Sequence, residues 1–213
     1  MARSVRIEYV GANYHVMARG NRREAIFFDD DDRRFFLQVL AEACGQTGWQ
    51  VHAWVLMGNP YHLLLETPEG HLSRGMAWRQ NADTRRINTR HRLWGPVFGG
   101  RDKSIVVEPG NCFRALLDSL HRNPVRAGLV READDRESYG WSSLKGCFSL
   151  PKTRPKWLRT EVGMAVCGCT IGARPGSGFV LRCLPGENSD SQRYPVVLGS
   201  AASTPFPGLR ENP

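Results

Sequence analysis

A histidine on an apolar strand is the first residue of this sequence whose position suggests chemistry. His62 follows a turn at 58–60, where Gly, Asn and Pro allow a positive φ or withhold a backbone donor. In the predicted strand 61–67, His62, Leu64 and Glu66 share one face because side chains alternate. Such a histidine belongs either to a functional site or to the core as a hydrogen-bonded residue. Its sequence context alone favours the core.

The elements around this strand predict a compact α+β fold. Strand 51–57 is apolar on both faces, which is typical of a central strand. A first strand at 6–18 puts His15 and Met17 on one face and larger core residues on the other. A helix follows at 33–44, and the aspartates at 29–32 precede it. We interpret these aspartates as the cap of that helix rather than as a metal site, because they lie directly at its positive end.

The remaining elements complete the order β-α-β-β-α-β-α. A helix at 71–91 carries arginines in its C-terminal half, where they either favour the helix dipole or contact phosphate. A strand at 103–108 and a helix at 113–122 follow, and Asn-Pro at 123–124 is predicted to end that helix. This order predicts an antiparallel sheet with helices packed on it.

The amino-acid composition limits the classes of partner and the cellular setting that we expect for this chain. The 213 residues carry a net charge of +8, and residues from 160 onward hold four Arg and four acidic residues, so the surplus lies in residues 1–159. A basic body favours a polyanion such as nucleic acid, although a basic surface also serves solubility. We expect no membrane segment and no secretory signal. The six cysteines lack paired CxxC spacing, which is typical of a cytoplasmic protein with reduced thiols.

The C-terminal quarter differs from the rest. Residues 160–213 contain eight Gly and six Pro without a helical period. We therefore expect one domain at 1–159, followed by a largely disordered tail at 160–213.

Several motifs in order resemble one protein family. The strand sequence VLMGNPYHLLLETPEGHLSRGM contains His62. The others are YHVMARGNR at 14–22, RRINTRH at 85–91, HRNPVRAGLV at 121–130 and YGWSSLKG at 139–146. Together they resemble the single-tyrosine HUH transposases, and within them the REP-associated tyrosine transposases and related IS200-like proteins. The resemblance covers roughly residues 3–159.

The resemblance implies a fold and a chemistry. The fold is a ferredoxin-like (RRM-like) antiparallel sheet with packed helices. Proteins of this family cut single-stranded DNA at hairpin-flanked ends. Two histidines on one strand bind Mg²⁺ or Mn²⁺, and a helix tyrosine attacks the phosphate and becomes covalently linked to DNA. Residues i and i+2 of a strand point the same way, which lets both imidazoles reach one ion.

This sequence departs from the family pattern at two positions. Pro60 stands where the first metal-binding histidine is expected, so only His62 remains of that pair. Asp83 stands where the resemblance to the family places the nucleophilic tyrosine. A carboxylate would repel DNA, so we expect the catalysis to be impaired. His15 is the nearest replacement ligand if the first strand pairs beside the third, whereas Glu66 lies too far along its strand.

Two hypotheses of different classes remain open. In one, the chain is a transposase that cuts and transfers DNA; in the other, it is a domesticated or decayed relative that binds DNA hairpins without cutting. An RNA-binding RRM-like module ranks below both, because the strands lack the aromatic pairs that stack bases. The resemblance leaves a homodimer open. The expected phosphate contacts are Arg19, Arg22, Arg23, Arg85, Arg86 and Arg90.

Overall fold

The structure is a computed structural model, and it describes residues 6–130, 138–147, 154–166, 169–174 and 178–183. In these ranges the elements are β1 (Ala12–Ala18), α1 (Asp30–Thr47), β2 (Gln50–Leu56), β3 (Tyr61–Thr67), α2 (Leu72–His91), β4 (Lys103–Val107), α3 (Asn111–Arg126), α4 (Leu144–Cys147), α5 (Thr160–Val166), β5 (Cys169–Arg174) and β6 (Gly178–Cys183). None of the described helices is long and apolar enough to cross a membrane.

The core of the fold is one four-stranded antiparallel sheet in the order β2-β3-β1-β4. β3 pairs with β1 on one side and with β2 on the other, and β4 pairs with the far edge of β1. The two hairpin-linked strands are therefore separated from β4 by the first strand of the chain. This order, with the helices packed on the sheet, confirms the predicted ferredoxin-like α+β fold.

The two faces of the sheet are covered differently. Tyr14, Leu63 and their neighbours belong to a large buried cluster with residues of α1 and α2. On the other face a smaller cluster joins Val55 and Leu64 to Phe113 of α3. On β1 and β4, this second face has one buried side chain, Val107, and its other side chains are half-buried or exposed. The second face is thus open towards β4, and it is the face that carries His62.

The aspartates before α1 form a helix cap, as predicted. Asp29 is the N-cap, and its side chain accepts a hydrogen bond of 3.0 Å from the Asp32 backbone N–H. The Asp32 carboxylate in turn accepts one of 2.8 Å from the Phe28 N–H. One unpaired donor of the first helical turn, the Asp32 N–H, and the N–H of Phe28 just before the cap are satisfied in this way. At the other end, Gly48 has φ +68° and caps the helix in the left-handed conformation.

Two element boundaries differ from the sequence prediction. β1 begins at Ala12 rather than at residue 6, because Gly11 has a φ of +72° and bends the chain there. α3 does not end before Pro124 but runs to Arg126, with the proline inside its last turn. The Ala127 N–H still bonds the Asn123 carbonyl, so the turn closes although the proline lacks a donor.

The predicted domain boundary also needs correction. α5 begins at Thr160, which is 1% exposed, and the helix contacts α3 and β2. Just before it, Arg159 donates its N–H to the Val51 carbonyl at 2.7 Å. The segment that we expected to be disordered therefore begins with a packed helix, and β5 and β6 follow it as an antiparallel pair. Residues 184–213 lie outside the described part of the chain.

Candidate functional site

His62 lies at the start of β3 on the open face of the sheet. It is paired with Val55 of β2 and, across the other edge, with Met17 of β1. The Asn59–Pro60 peptide bond before the strand is cis. The Asn59 side chain accepts a hydrogen bond from the Gly20 N–H at 3.2 Å and donates one to the Glu24 carbonyl at 2.7 Å. The turn before His62 is thereby fastened to the basic turn after β1.

His15 meets His62 across the β1–β3 pairing, as its predicted position on the first strand requires. His15 is opposite Leu64, and the next pair on the same face of the sheet is Met17–His62. The His15 Nε2 and His62 Nδ1 atoms are 3.0 Å apart, and the ring centroids are 5.3 Å apart with nearly parallel planes. One ring donates its N–H and the other accepts the hydrogen bond, so the accepting ring is neutral.

Burial and positive neighbours keep this histidine pair uncharged. Burial, with smaller contributions from His15 and Arg19, lowers the pKa of His62 to about 4. Burial also lowers the pKa of His15, and Lys103 adds to the effect. At neutral pH both imidazoles therefore present nitrogen lone pairs rather than positive charge.

Glu66 is directed to another partner. Its carboxylate lies 3.6 Å from Nε2 of His52, a buried histidine whose Nδ1 is 3.1 Å from the Arg159 carbonyl oxygen. Glu66 pairs with Asn13, four residue pairs from the Met17–His62 pair. Its position agrees with the expectation that it does not share an ion with His62.

The structure does not bring Asp83 to His62. Asp83 lies on α2, is 2% exposed and forms an ion pair with Arg79, with Oδ2 and Nη2 3.1 Å apart. The Arg79 guanidinium stacks on Phe36 at 3.9 Å and donates a hydrogen bond to the Tyr61 hydroxyl at 2.9 Å. Tyr61 and His62 are successive residues of β3, so they point to opposite faces. Asp83 therefore packs beneath the closed face, away from the histidine pair.

The environment of Asp83 is that of a core residue. Burial raises the pKa of its carboxyl to about 7, and the Arg79 guanidinium opposes that shift. The Arg79 guanidinium of this pair lies over the rings of Phe36 on α1 and Tyr61 on β3. The sequence prediction identified Asp83 as the residue at the position of the nucleophile, but its partner Arg79 was not recognised. A signal was present, because an arginine four residues before an aspartate pairs with it on one helix face.

The six arginines predicted to contact phosphate fall into two groups. Arg86 is held by Glu42 at 2.8 Å, and Arg90 is held by Asp29, Asp31 and Asp32. These ion pairs commit both side chains to the protein itself. The other four, Arg19, Arg22, Arg23 and Arg85, are exposed and form no ion pair with another described residue.

Three of the exposed arginines lie on the turn after β1, next to the histidine pair. Arg22 and Arg23 have φ values of +52° and +64°, which is unusual for residues other than glycine and carries a cost of order 1 kcal/mol or more. The turn is held in place by two backbone hydrogen bonds, from Asn21 N–H to the Val97 carbonyl and from Gly99 N–H to the Arg19 carbonyl. A strained turn that presents two arginines is typical of a binding segment.

An exposed tryptophan near this turn was missed from the sequence. Trp94 is 97% exposed in the loop after α2, the same loop whose Val97 and Gly99 bond the basic turn. The signal was its position between Arg92 and Gly95, in a segment too short and too rich in glycine to bury an indole. We call the combined surface of residues 19–23, Trp94 and Lys103 the basic end of the sheet. Exposed aromatic rings within basic surfaces can stack on unpaired bases.

One cluster of side chains has the spacing of a metal site, but the side chain of an arginine already lies between its carboxylates. Ligand atoms of Asp29, Asp32 and His91 lie within 4.8 Å of one another. The Arg90 guanidinium nitrogen Nη1 is 2.7 Å from Asp29 and 2.6 Å from Asp32, and this contact lowers the pKa of Asp29. A cation already occupies the position between the carboxylates, and it belongs to the protein.

The sequence and the fold were compared with known proteins. Residues 8–98 match the family described as "Transposase IS200 like". These residues contain β1, α1, β2, β3 and α2, together with His15 and His62. The resemblance predicted from the motifs is confirmed over this segment. No curated protein matches the chain.

Two solved structures are similar to this chain. One is described as a REP-associated tyrosine transposase bound to a REP hairpin, with a TM-score of 0.61 and 15% identity. The matched region covers 75% of this chain and 92% of the chain in that structure. The other is a candidate transposase from Deinococcus radiodurans R1, with a TM-score of 0.41 and 19% identity over 57% of this chain and 97% of its own. The first of these structures supports the fold.

The histidine pair lacks the oxygen ligands that would complete a site for Mg²⁺ or Mn²⁺ among the described residues around it. Mg²⁺ and Mn²⁺ prefer oxygen ligands. His15 and His62 offer two neutral nitrogens, and the charges that act on them come from Lys103 and Arg19, which are positive. Glu66 is engaged with His52. We therefore derive no step that depends on Mg²⁺ or Mn²⁺.

Proposed function

We propose that this chain is a transposase-family protein that binds hairpin DNA through its basic end and has an impaired strand-cleaving chemistry. The observation that carries the proposal is the separation of the two positions that the family resemblance assigns to catalysis. His62 lies on the open face, whereas Asp83 is buried in an ion pair under the closed face. A nucleophile must be within hydrogen-bond reach of its activating group and of the phosphate.

Binding is supported by the chemistry of the basic end. Arg19, Arg22 and Arg23 are exposed beside the open sheet face, and Trp94 is exposed in the adjoining loop. Arginines contact phosphates, and an indole stacks on unpaired bases. A hairpin with a single-stranded flank offers both. The solved structure with the same fold is described as bound to a REP hairpin, which favours this class of ligand.

The missing ligand at Pro60 supports the loss of cleavage. Proline offers no lone pair for a metal. Metal and nucleophile act on the same transition state, so losing either one removes most of the rate.

A cleavage assay tests this part of the proposal. The chain is incubated with a labelled hairpin that has single-stranded flanks, in Mg²⁺ and separately in Mn²⁺, and the products are separated on a denaturing gel. We expect neither a shortened strand nor a strand linked to protein. Asp83→Asn and His62→Gln serve as matched variants. Cleavage that survives both substitutions identifies another nucleophile, and cleavage lost only in Asp83→Asn identifies a catalytic carboxylate; either result overturns the impairment.

A further inference from the structure

Two cysteines lie directly opposite each other in the antiparallel pair of β5 and β6. Cys169 is the first residue of β5, Cys183 is the last residue of β6, and the register pairs them. Opposite residues of an antiparallel pair have Cα atoms about 4.5 or about 5.5 Å apart, depending on their place in the hydrogen-bonding pattern. Disulfides span Cα separations of about 4.4 to 6.8 Å. The backbone register therefore places these two residues at a separation that a disulfide can bridge.

The alternation along the two strands places both cysteines on the apolar face of this hairpin. Residues at every second position of a strand share a face. The other positions on the face of the cysteines are Ile171, Ala173, Phe179 and Leu181. The opposite face carries the two arginines of these strands, Arg174 and Arg182. A slip of the register by one residue would move the cysteines away from each other, so this pattern supports the pairing.

A bond between the two cysteines would act at the open end of the hairpin. Arg174–Gly178 is the pair nearest the connection between the strands, and Cys169–Cys183 is the pair farthest from it. The bond would close a loop of 15 residues, 169–183. β5 and β6 form a sheet of only two strands, and such a hairpin is marginally stable by itself in water. A cross-link favours the paired state because it removes open conformations from the unfolded ensemble.

We propose that Cys169 and Cys183 are a redox-responsive pair whose reversible disulfide closes the β5–β6 hairpin. In a reducing compartment both thiols stay reduced, and the bond forms when the thiol–disulfide balance becomes oxidising. Cys44, by contrast, is buried, and burial raises the pKa of its thiol to about 12, so it reacts poorly. The proposal is independent of DNA binding by the basic end, and neither requires the other to hold.

The oxidant that this step needs is a small disulfide such as oxidised glutathione. The thiolate of one cysteine attacks a sulfur of oxidised glutathione, which breaks that disulfide and releases one glutathione thiolate. The second cysteine thiolate then attacks the protein sulfur of the mixed disulfide and releases another glutathione thiolate. The two cysteines lose two electrons in total, one oxidised glutathione gains them, and the two cysteine protons pass to the released thiolates.

Tryptic digestion puts the two cysteines on different peptides, so mass spectrometry can detect the bond between them. Cleavage after Arg182 gives peptides 160–182 and 183–193, since Arg174 is followed by proline and is not cut. The full chain is equilibrated in glutathione buffers that range from fully reduced to fully oxidised. Its remaining thiols are then blocked with N-ethylmaleimide, and the chain is digested without reductant.

We expect the two peptides to be joined in the oxidised buffer and to separate after treatment with dithiothreitol. Cys169→Ser and Cys183→Ser should each abolish the joined species. Cys167→Ser and Cys112→Ser are the matched controls and should retain it, because the register places Cys169 opposite Cys183. In the parent and in both controls, backbone amide exchange over residues 169–183 should slow by about tenfold or more on oxidation.

Four results would overturn the proposal. The first is a parent chain whose two peptides stay separate in the fully oxidised buffer. The second is a joined species that survives Cys169→Ser and is lost in Cys167→Ser, which would assign the bond to another cysteine. The third is a cross-link found only between two chains on a non-reducing gel. The fourth is amide exchange that oxidation leaves unchanged, which would show that the bond does not close the hairpin.

Discussion

At the residue scale, the sequence located His62 and its partner His15 but misjudged the setting of Asp83. The strand pattern predicted the face of His62, and the order of strands predicted that His15 lies beside it, because both follow from alternation and pairing. The setting of Asp83 depends on which face of the sheet α2 covers, and a linear motif does not carry that information. Trp94 and the ion pairs of Arg90 were missed for the same reason.

The buried pair of Arg79 and Asp83 gives a prediction on stability. Asp83→Leu should lower the free energy of unfolding by about 3 to 5 kcal/mol, because it leaves the Arg79 charge buried without its partner. Adding Arg79→Met should recover most of that loss, since a buried ion pair replaced by apolar residues is often neutral. Urea denaturation of the parent, both single variants and the double variant measures the coupling.

The double variant also separates a structural role from a catalytic one. It should bind hairpin DNA as the parent does, because neither side chain reaches the basic end. An Asp83→Leu variant as stable as the parent would show that the ion pair does not hold α2 against the core.

The histidine pair predicts a pH dependence of stability. The folded-state pKa of His62 is about 4, below its ordinary value of 6.5. The unfolded chain therefore takes up a proton between these values that the folded chain does not, and stability falls as the pH drops from 6.5 towards 4. In the presence of EDTA, His62→Gln should remove at most about 3 kcal/mol of that loss.

The measurement is urea denaturation at several pH values through this window. His71→Gln, at an exposed histidine, is the control and should follow the parent curve. Parallel curves for the parent and His62→Gln would mean that His62 is protonated equally in both states.

At the element scale, the four-stranded sheet and three of the helices packed on it could be predicted from the sequence. The residues at which several elements begin or end could not. Alternation gave β2 and β3, and the apolar stripe gave α1. The continuation of α3 through Pro124 was missed because the proline falls in the last turn, where its missing donor costs least. α5 was missed because it spans only seven residues within a segment rich in glycine and proline.

Helix α5 is predicted to stabilise the domain. It packs on α3, where Leu117 lies against Gly163, and Arg154 contacts Glu161 at 2.9 Å from the preceding segment. A chain that ends at Arg159 should melt about 4 to 8 °C lower than one that ends at Val166, for a loss of about 2 kcal/mol. Thermal denaturation followed by circular dichroism compares the two. Equal melting temperatures would mean that α5 contributes no stability.

At the scale of the whole molecule, the charge and the sheet geometry coincide at one end. The surplus of positive charge lies in residues 1–159, and the structure places three exposed arginines on the turn beside the histidine pair. Composition predicted a partner with negative charge, but only the fold shows which arginines are exposed for contact with it. The opposite end of the sheet, where the segment containing Lys156 adjoins the start of β2, supplies a control surface.

The most direct test of the account is the salt dependence of hairpin binding. Gel-shift titrations with a hairpin carrying a single-stranded flank are run at about 50 and about 200 mM salt. The four exposed arginines predict a log–log slope of about −3 for single-stranded contacts, and the triple variant Arg19→Ala/Arg22→Ala/Arg23→Ala should be shallower by about 2. Lys156→Ala should follow the parent. Binding by the triple variant with the parent's affinity and slope, or no binding by the parent at low salt, would contradict the assignment of this end of the sheet to DNA.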